Sequence, residues 1–128
     1  AHHGHAGLSV AAKAEAVRRL FQAAEADLLP PLLDFLASHS RVRLIGSPRP
    51  MERAPTVAFS VDGIPSAEVA RALARVEIGV GQGDFYAHRL IRALGYDPDD
   101  GVVRASFVHY TSGEDVERLI GALKEVLE

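Results

Sequence analysis

Val102-Val103-Arg104-Ala105-Ser106-Phe107-Val108-His109-Tyr110 alternates in a way that predicts a strand from Val102 to Tyr110. Directly behind it, Thr111-Ser112-Gly113-Glu114 has the S/T-x-x-E form of a capping box. Val116, Leu119, Ile120, Leu123 and Leu127 then recur at the spacing of one helix face. Within the strand, Val103, Ala105 and Phe107 share one face, which should meet the helices, while Arg104 and Ser106 point the other way. A half-buried strand feeding an amphipathic helix, taken with the order of elements upstream, predicts an α+β fold.

The same two periods run upstream. Val42 and Leu44, then Val57, Phe59 and Val61, are spaced as two short strands with one buried face each. Gly46 to Ala54 between them is too long and too rich in proline and charge for a tight hairpin. Pro65 fits the first position of a helix carrying Val69, Ala70, Leu73 and Val76. A short strand at Ile78 to Val80, a turn at Gly81-Gln82-Gly83-Asp84, and a helix with Tyr86, Leu90, Ile91 and Leu94 inside follow, capped by Gly95. Asp97-Pro98-Asp99-Asp100-Gly101 reads as a turn.

Toward the beginning, Val10, Val17, Leu20, Phe21, Ala24 and Leu28 form one helical stripe, which Pro30 and Pro31 are expected to interrupt. A second, shorter helix starting at Pro31 would carry Leu32, Leu33, Phe35 and Leu36. Residues 1–7 hold three histidines and no apolar period, so they are assigned to a tag or linker remnant rather than a metal site. Residues 8–128 are read as one domain. Its expected form is a small mixed or antiparallel sheet of about four strands with helices on one face, plus two leading helices packed as an appendage.

Composition narrows the function. The chain has 128 residues, 48% hydrophobic, with 14 Lys+Arg against 17 Asp+Glu for a net charge of −3. A nucleic-acid binder needs a basic face, so none is expected. With no cysteine, disulfide scaffolds, thiolate zinc sites and a thiol nucleophile are all removed. No apolar run reaches the ~20 residues of a membrane span, and the start lacks a secretory apolar core, so no membrane partner and an intracellular, cytoplasmic setting are expected.

Arg104 is the residue that folding explains least. A guanidinium among apolar neighbours suits a carboxylate or phosphate, which its planar fork binds bidentately. Strand geometry equally allows an arginine on a solvent-facing sheet surface, paired loosely or with an internal acid. Gly79, Gly81 and Gly83 lack the third glycine in register that a dinucleotide fingerprint needs, and a tight turn explains them more simply. His88 beside Arg89 reads as exposed or interfacial. His109, at the strand end, reads as a core or boundary histidine. Neither has the sequence neighbours of a triad or dyad. Asp97, Asp99 and Asp100 lack calcium-loop spacing.

Gly101 to Thr111 followed by Glu114-Asp115-Val116-Glu117-Arg118-Leu119 resembles the closing segment of class V pyridoxal-phosphate enzymes, the fold-type I aminotransferases that include cysteine desulfurases. That family places an arginine in a short apolar strand, then Tyr-Asn-Thr, then a helix with a Glu-x-x-x-x-Leu theme. Val42 to Gly46, Pro55 to Phe59 and Ile78 to Ala87 occur in the family's order as well. The resemblance implies a C-terminal small domain of the cysteine desulfurase-like branch, in which Arg104 grips the substrate's α-carboxylate and Gly83, Phe85 and Tyr86 line the entrance. It implies pyridoxal 5'-phosphate in the complete enzyme, a large cofactor-binding domain as missing partner, an amino-acid substrate and a homodimer.

Departures from the family are equally specific. The family's cofactor-anchoring lysine follows a histidine, whereas Lys13 stands in Ala-Lys-Ala and Lys124 in Leu-Lys-Glu. No cofactor binding and no catalytic residue are therefore expected of this chain alone. Tyr86 occupies the place of the desulfurase cysteine, Gly81 that of a common loop arginine, and Thr111-Ser112 replaces Asn-Thr. The rival expectation is a free-standing homodimeric α+β module that binds a small molecule or regulates a partner.

Overall fold

The computed structural model describes residues 9–128, so the tag or linker assignment at 1–7 lies outside the described residues. Alternation in Thr56–Val61 (β2) buries Val57, Phe59 and Val61 on one side. Val42–Ile45 (β1) and Val102–Ser106 (β4) flank it, and Gly81–Gly83 (β3) forms the far edge, in the order β1-β2-β4-β3 with every pairing antiparallel. β2 and β3 thus run parallel with β4 between them. They are joined by Ser66–Arg75 (α2), a split β-α-β arrangement.

Three helices cover the face that carries Val57, Phe59, Val103 and Ala105. Val69 and Leu73 come from α2, and Val116, Leu119, Leu123 and Leu127 from Gly113–Leu127 (α4). Leu29, Leu32, Leu33 and Leu36 come from Val10–Ser38 (α1). This is the α+β architecture expected.

The two leading helices, however, are one. α1 runs unbroken through Pro30 and Pro31. Leu29, Leu32, Leu33 and Leu36 follow the i, i+3, i+4, i+7 spacing straight across both prolines, and a break there would take Leu29 off the core. Burying each leucine stabilises by about 1.5–3 kcal/mol, which offsets an interior proline's cost of ~3 kcal/mol. Val10, Val17, Leu20 and Phe21, in the half of α1 before the prolines, remain exposed, so only the second half packs on the sheet.

Four further boundaries differ from expectation. The third strand forms at Gly81–Gly83, not Ile78 to Val80. Glu77 closes α2 in the left-handed region, donating to Ala74 O while Ile78 N donates to Leu73 O. That Schellman closure uses the Ile78 donor and re-aims the chain before pairing begins. Val76, placed on the buried stripe, is the C-cap of α2 and is exposed. Finally, β4 ends at Ser106, and the capping box is Ser112 with Asp115, one residue later than predicted. Thr111 Oγ1 instead accepts from Val108 N at 3.0 Å and closes the turn after the strand.

Candidate functional site

Arg104 lies mid-strand in β4, opposite Ala58 of β2 and Gly81 of β3. The register places Arg104, Ala58, Gly81 and Arg43 on the face away from the three covering helices, as the alternation implied. Its lateral neighbours in the sheet carry a methyl group and a hydrogen, so neither crowds the guanidinium. Among the described residues, Arg104 forms no ion pair.

One aromatic ring reaches it. The Arg104 guanidinium carbon sits 4.0 Å from the centroid of Phe85. Phe85 and Tyr86 have φ of 51° and 61°, a left-handed pair that costs of order 1–3 kcal/mol per residue. Asp84 holds the turn. Its Oδ1 accepts from Tyr86 N at 3.1 Å and its backbone carbonyl from Ala87 N at 2.8 Å. The turn folds the Phe85 ring back onto the sheet and leaves Tyr86 fully exposed. Tyr86 therefore does not sit on the inner face of a helix. Helix α3 spans only His88–Ala93 and buries Ile91, while Leu90 and Leu94 are exposed.

Glycines make this arrangement possible. A Cβ on Gly81 would come within 2.9 Å of the Phe85 ring. Gly83 pairs with Val102, and a Cβ on Gly101 would overlap the Gly83 backbone. A second arginine–aromatic pair lies on the same sheet face, with Arg43 4.9 Å from the Tyr96 centroid. The two pairs set the segment from Phe85 to Tyr96 beside the face that carries Arg104.

The other candidates separate from this site. His88 is exposed, 3.6 Å from Asp84 Oδ2 and 3.1 Å from Arg92 on its own helix. His109 lies beyond β4, exposed, between the rings of Phe21 and Tyr110. Asp97 Oδ1 accepts from Asp99 N, as a turn should. Asp100 had no assigned partner in the sequence, yet it caps α2 through Ser66 N at 2.8 Å and Ser66 Oγ at 3.2 Å. A cleft of about 260 Å³ opens where Ile78 to Val80 diverge from Ala105 and Phe107, but Arg104 is not in its lining. In chemical terms, the site is an accessible guanidinium with one side covered by a ring and its N–H donors free of internal acids. Such a group suits a planar anion.

The aminotransferase class-V family profile matches residues 7–119. The chain is 38% identical over 106 residues to the aminotransferase-like protein FGM3 of Gibberella zeae, covering 80% of this chain and 26% of that protein. Similarity to a probable cysteine desulfurase of Pseudomonas putida is 32% over 104 residues, covering 81% and 24%. The apo cysteine desulfurase of Thermococcus onnurineus NA1 superposes with a TM-score of 0.69 at 30% identity, over 84% of this chain and 25% of that one. A cysteine desulfurase of Escherichia coli gives 0.65 at 25% identity, over 80% and 25%. This chain belongs to the aminotransferase class-V family of pyridoxal-phosphate enzymes and is cysteine desulfurase-like. It spans about a quarter of the length of the relatives it matches.

The family implies pyridoxal phosphate in the complete enzyme, and the residues present do not fit its covalent anchorage. Lys13 and Lys124 are the only lysines in the chain, and both are exposed on helices. Lys124 lies in the last turn of α4, in the layer covering the face opposite Arg104, and Lys13 near the start of α1. Neither stands on the sheet face that carries Arg104.

Proposed function

We propose that this chain is the small, C-terminal, substrate-carboxylate-binding domain of a pyridoxal-phosphate enzyme, and that it is not catalytic alone. The observation that carries the reading is the Arg104 guanidinium, on the sheet face opposite α1, α2 and α4, unpaired by any acid among the described residues and laid over Phe85. Arg104 would grip the α-carboxylate of an amino-acid substrate through two parallel N–H donors, with Phe85, Tyr86 and Gly83 bordering the entrance. The cofactor, held by the large domain, supplies the electron sink for chemistry at the substrate's α-carbon. This chain's part is to bind and orient. Having no cysteine, it offers no thiol for sulfur transfer. In the same reading the complete enzyme is a cytoplasmic homodimer.

The test uses the full-length enzyme. Arg104→Gln removes a charge-assisted contact of about 1.5–3 kcal/mol, so kcat/KM for carboxylate substrates should fall roughly 10- to 100-fold. Cofactor absorbance should stay that of the unaltered enzyme. An unchanged KM would sink the assignment.

The exposed apolar residues Val10, Val17, Leu20 and Phe21 of α1 favour a surface that is covered by further polypeptide. They are equally suited to the rival reading of a self-sufficient homodimeric binding module. A defined dimer of this chain alone that bound an amino acid without cofactor would establish the rival instead.

A further inference from the structure

We propose that Phe85 is the positioning residue for Arg104, seated by Gly81, so that a carboxylate meets a guanidinium already set in one plane. This inference rests on Arg104 being the carboxylate site.

An arginine side chain with short neighbours has many rotamers, and ordering it opposes ligand binding. Ala58 and Gly81 flank Arg104 across the sheet, and neither has a side chain long enough to hold it. The Phe85 ring, 4.0 Å from the guanidinium carbon, supplies that hold. Two observations make the contact a built feature rather than a chance approach. The backbone adopts consecutive left-handed residues, Phe85 and Tyr86, to bring the ring over the sheet, with the Asp84 carboxylate closing the turn. The strand position beneath the ring is Gly81, where a Cβ would stand 2.9 Å from Phe85 Cε1. A ring stacked on one side leaves the in-plane N–H donors free, as bidentate binding requires.

Steady-state kinetics of the full-length holoenzyme with its amino-acid substrate test the proposal. Phe85→Leu keeps an apolar side chain but removes the aromatic face. KM should rise about 3- to 30-fold, the range of a cation–π contact, with kcat nearly unchanged. Phe85→Tyr should retain the original KM. Gly81→Ala should reproduce the Phe85→Leu phenotype by displacing the ring. Replacing Phe85 with mono-, di- and trifluorophenylalanine weakens the ring's negative face at nearly constant shape, so KM should climb stepwise while the melting temperature stays constant. A flat KM across the fluorinated series overturns the proposal even if Phe85→Leu misfolds. Adding Phe85→Leu to Arg104→Gln should change nothing further. If Arg104→Gln alone leaves KM unaltered, the carboxylate reading itself fails. If it raises KM while the ring variants do not, only the positioning role is lost.

Discussion

Asp100 accepts hydrogen bonds from both the backbone N–H and the hydroxyl of Ser66, across 34 positions of sequence. Helix α2 begins after Pro65, which offers no side-chain cap, so the carboxylate of a distant turn satisfies the helix's first backbone donor. It also complements the helix dipole. Ser66 is buried, and losing its partner leaves polar atoms without water. Asp100→Ala should lower stability by about 1–3 kcal/mol, read from the urea midpoint, and Asp100→Asn by less. No change in either would show that water replaces the carboxylate freely.

At α4 the cap is local. Ser112 N and Oγ both donate to Asp115 Oδ2, at 2.9 and 2.8 Å, while Asp115 N donates back to Ser112 Oγ. Ser112→Ala should cost ~1 kcal/mol. The hydrogen bonds from Ser112, then the nearby Arg118 charge, hold the Asp115 carboxyl below its ordinary value of 3.8. A depressed folded-state pKa means the stabilisation is fully present above the unfolded value and lost as pH falls through the folded one. The stability difference between wild type and Asp115→Asn should therefore be constant above about pH 5 and shrink below about pH 4. A difference that persists to lower pH would contradict the assignment.

Gly101 and Gly83 invite a paired comparison. Gly101 has φ of 68° and its added Cβ would overlap Gly83 backbone, whereas Gly83, at φ 117°, has nothing within 4 Å of such a Cβ. Gly101→Ala should destabilise by ~3 kcal/mol or more, through strain and a clash that only backbone movement relieves. Gly83→Ala should show strain alone, about 1–3 kcal/mol. Equal thermal shifts for the two would be inconsistent with the close approach.

Pro31 is exposed inside α1 and withholds the N–H that position would otherwise donate to Asp27 O. Pro31→Ala should raise stability by up to ~2 kcal/mol. It restores a helical hydrogen bond and removes a ring clash, less the entropy proline takes from the unfolded chain. A fall in melting temperature would mean that the helix needs the proline's geometry to seat Leu32 and Leu33.

The strands around Phe59 and Arg104 and the stripe of α4 were legible because period and burial coincide there. Val57, Phe59, Val103 and Ala105 alternate with Ala58 and Arg104, and a sheet with one covered face leaves one register that buries them. The proline pair misled for a physical reason. Local preference opposes the helix at Pro30 and Pro31, while the gain from Leu29, Leu32, Leu33 and Leu36 depends on a sheet that local preference does not include. β3 carries no strand signal of its own, because Gly81 and Gly83 have no hydrophobic signature. Their place in the ladder comes from β4 and from the Schellman turn at Glu77.

Local chemistry thus specified the α+β class, the helix-covered face of β4 and the side on which Arg104 emerges, since each follows from the order of adjacent side chains. The meeting of Arg104 with Phe85, the reach of Asp100 to Ser66 and the backbone contact of Gly101 with Gly83 arose only in three dimensions. Each joins residues whose separation along the chain carries no periodic signal, and each requires the sheet and its turns to be in place before the contact exists.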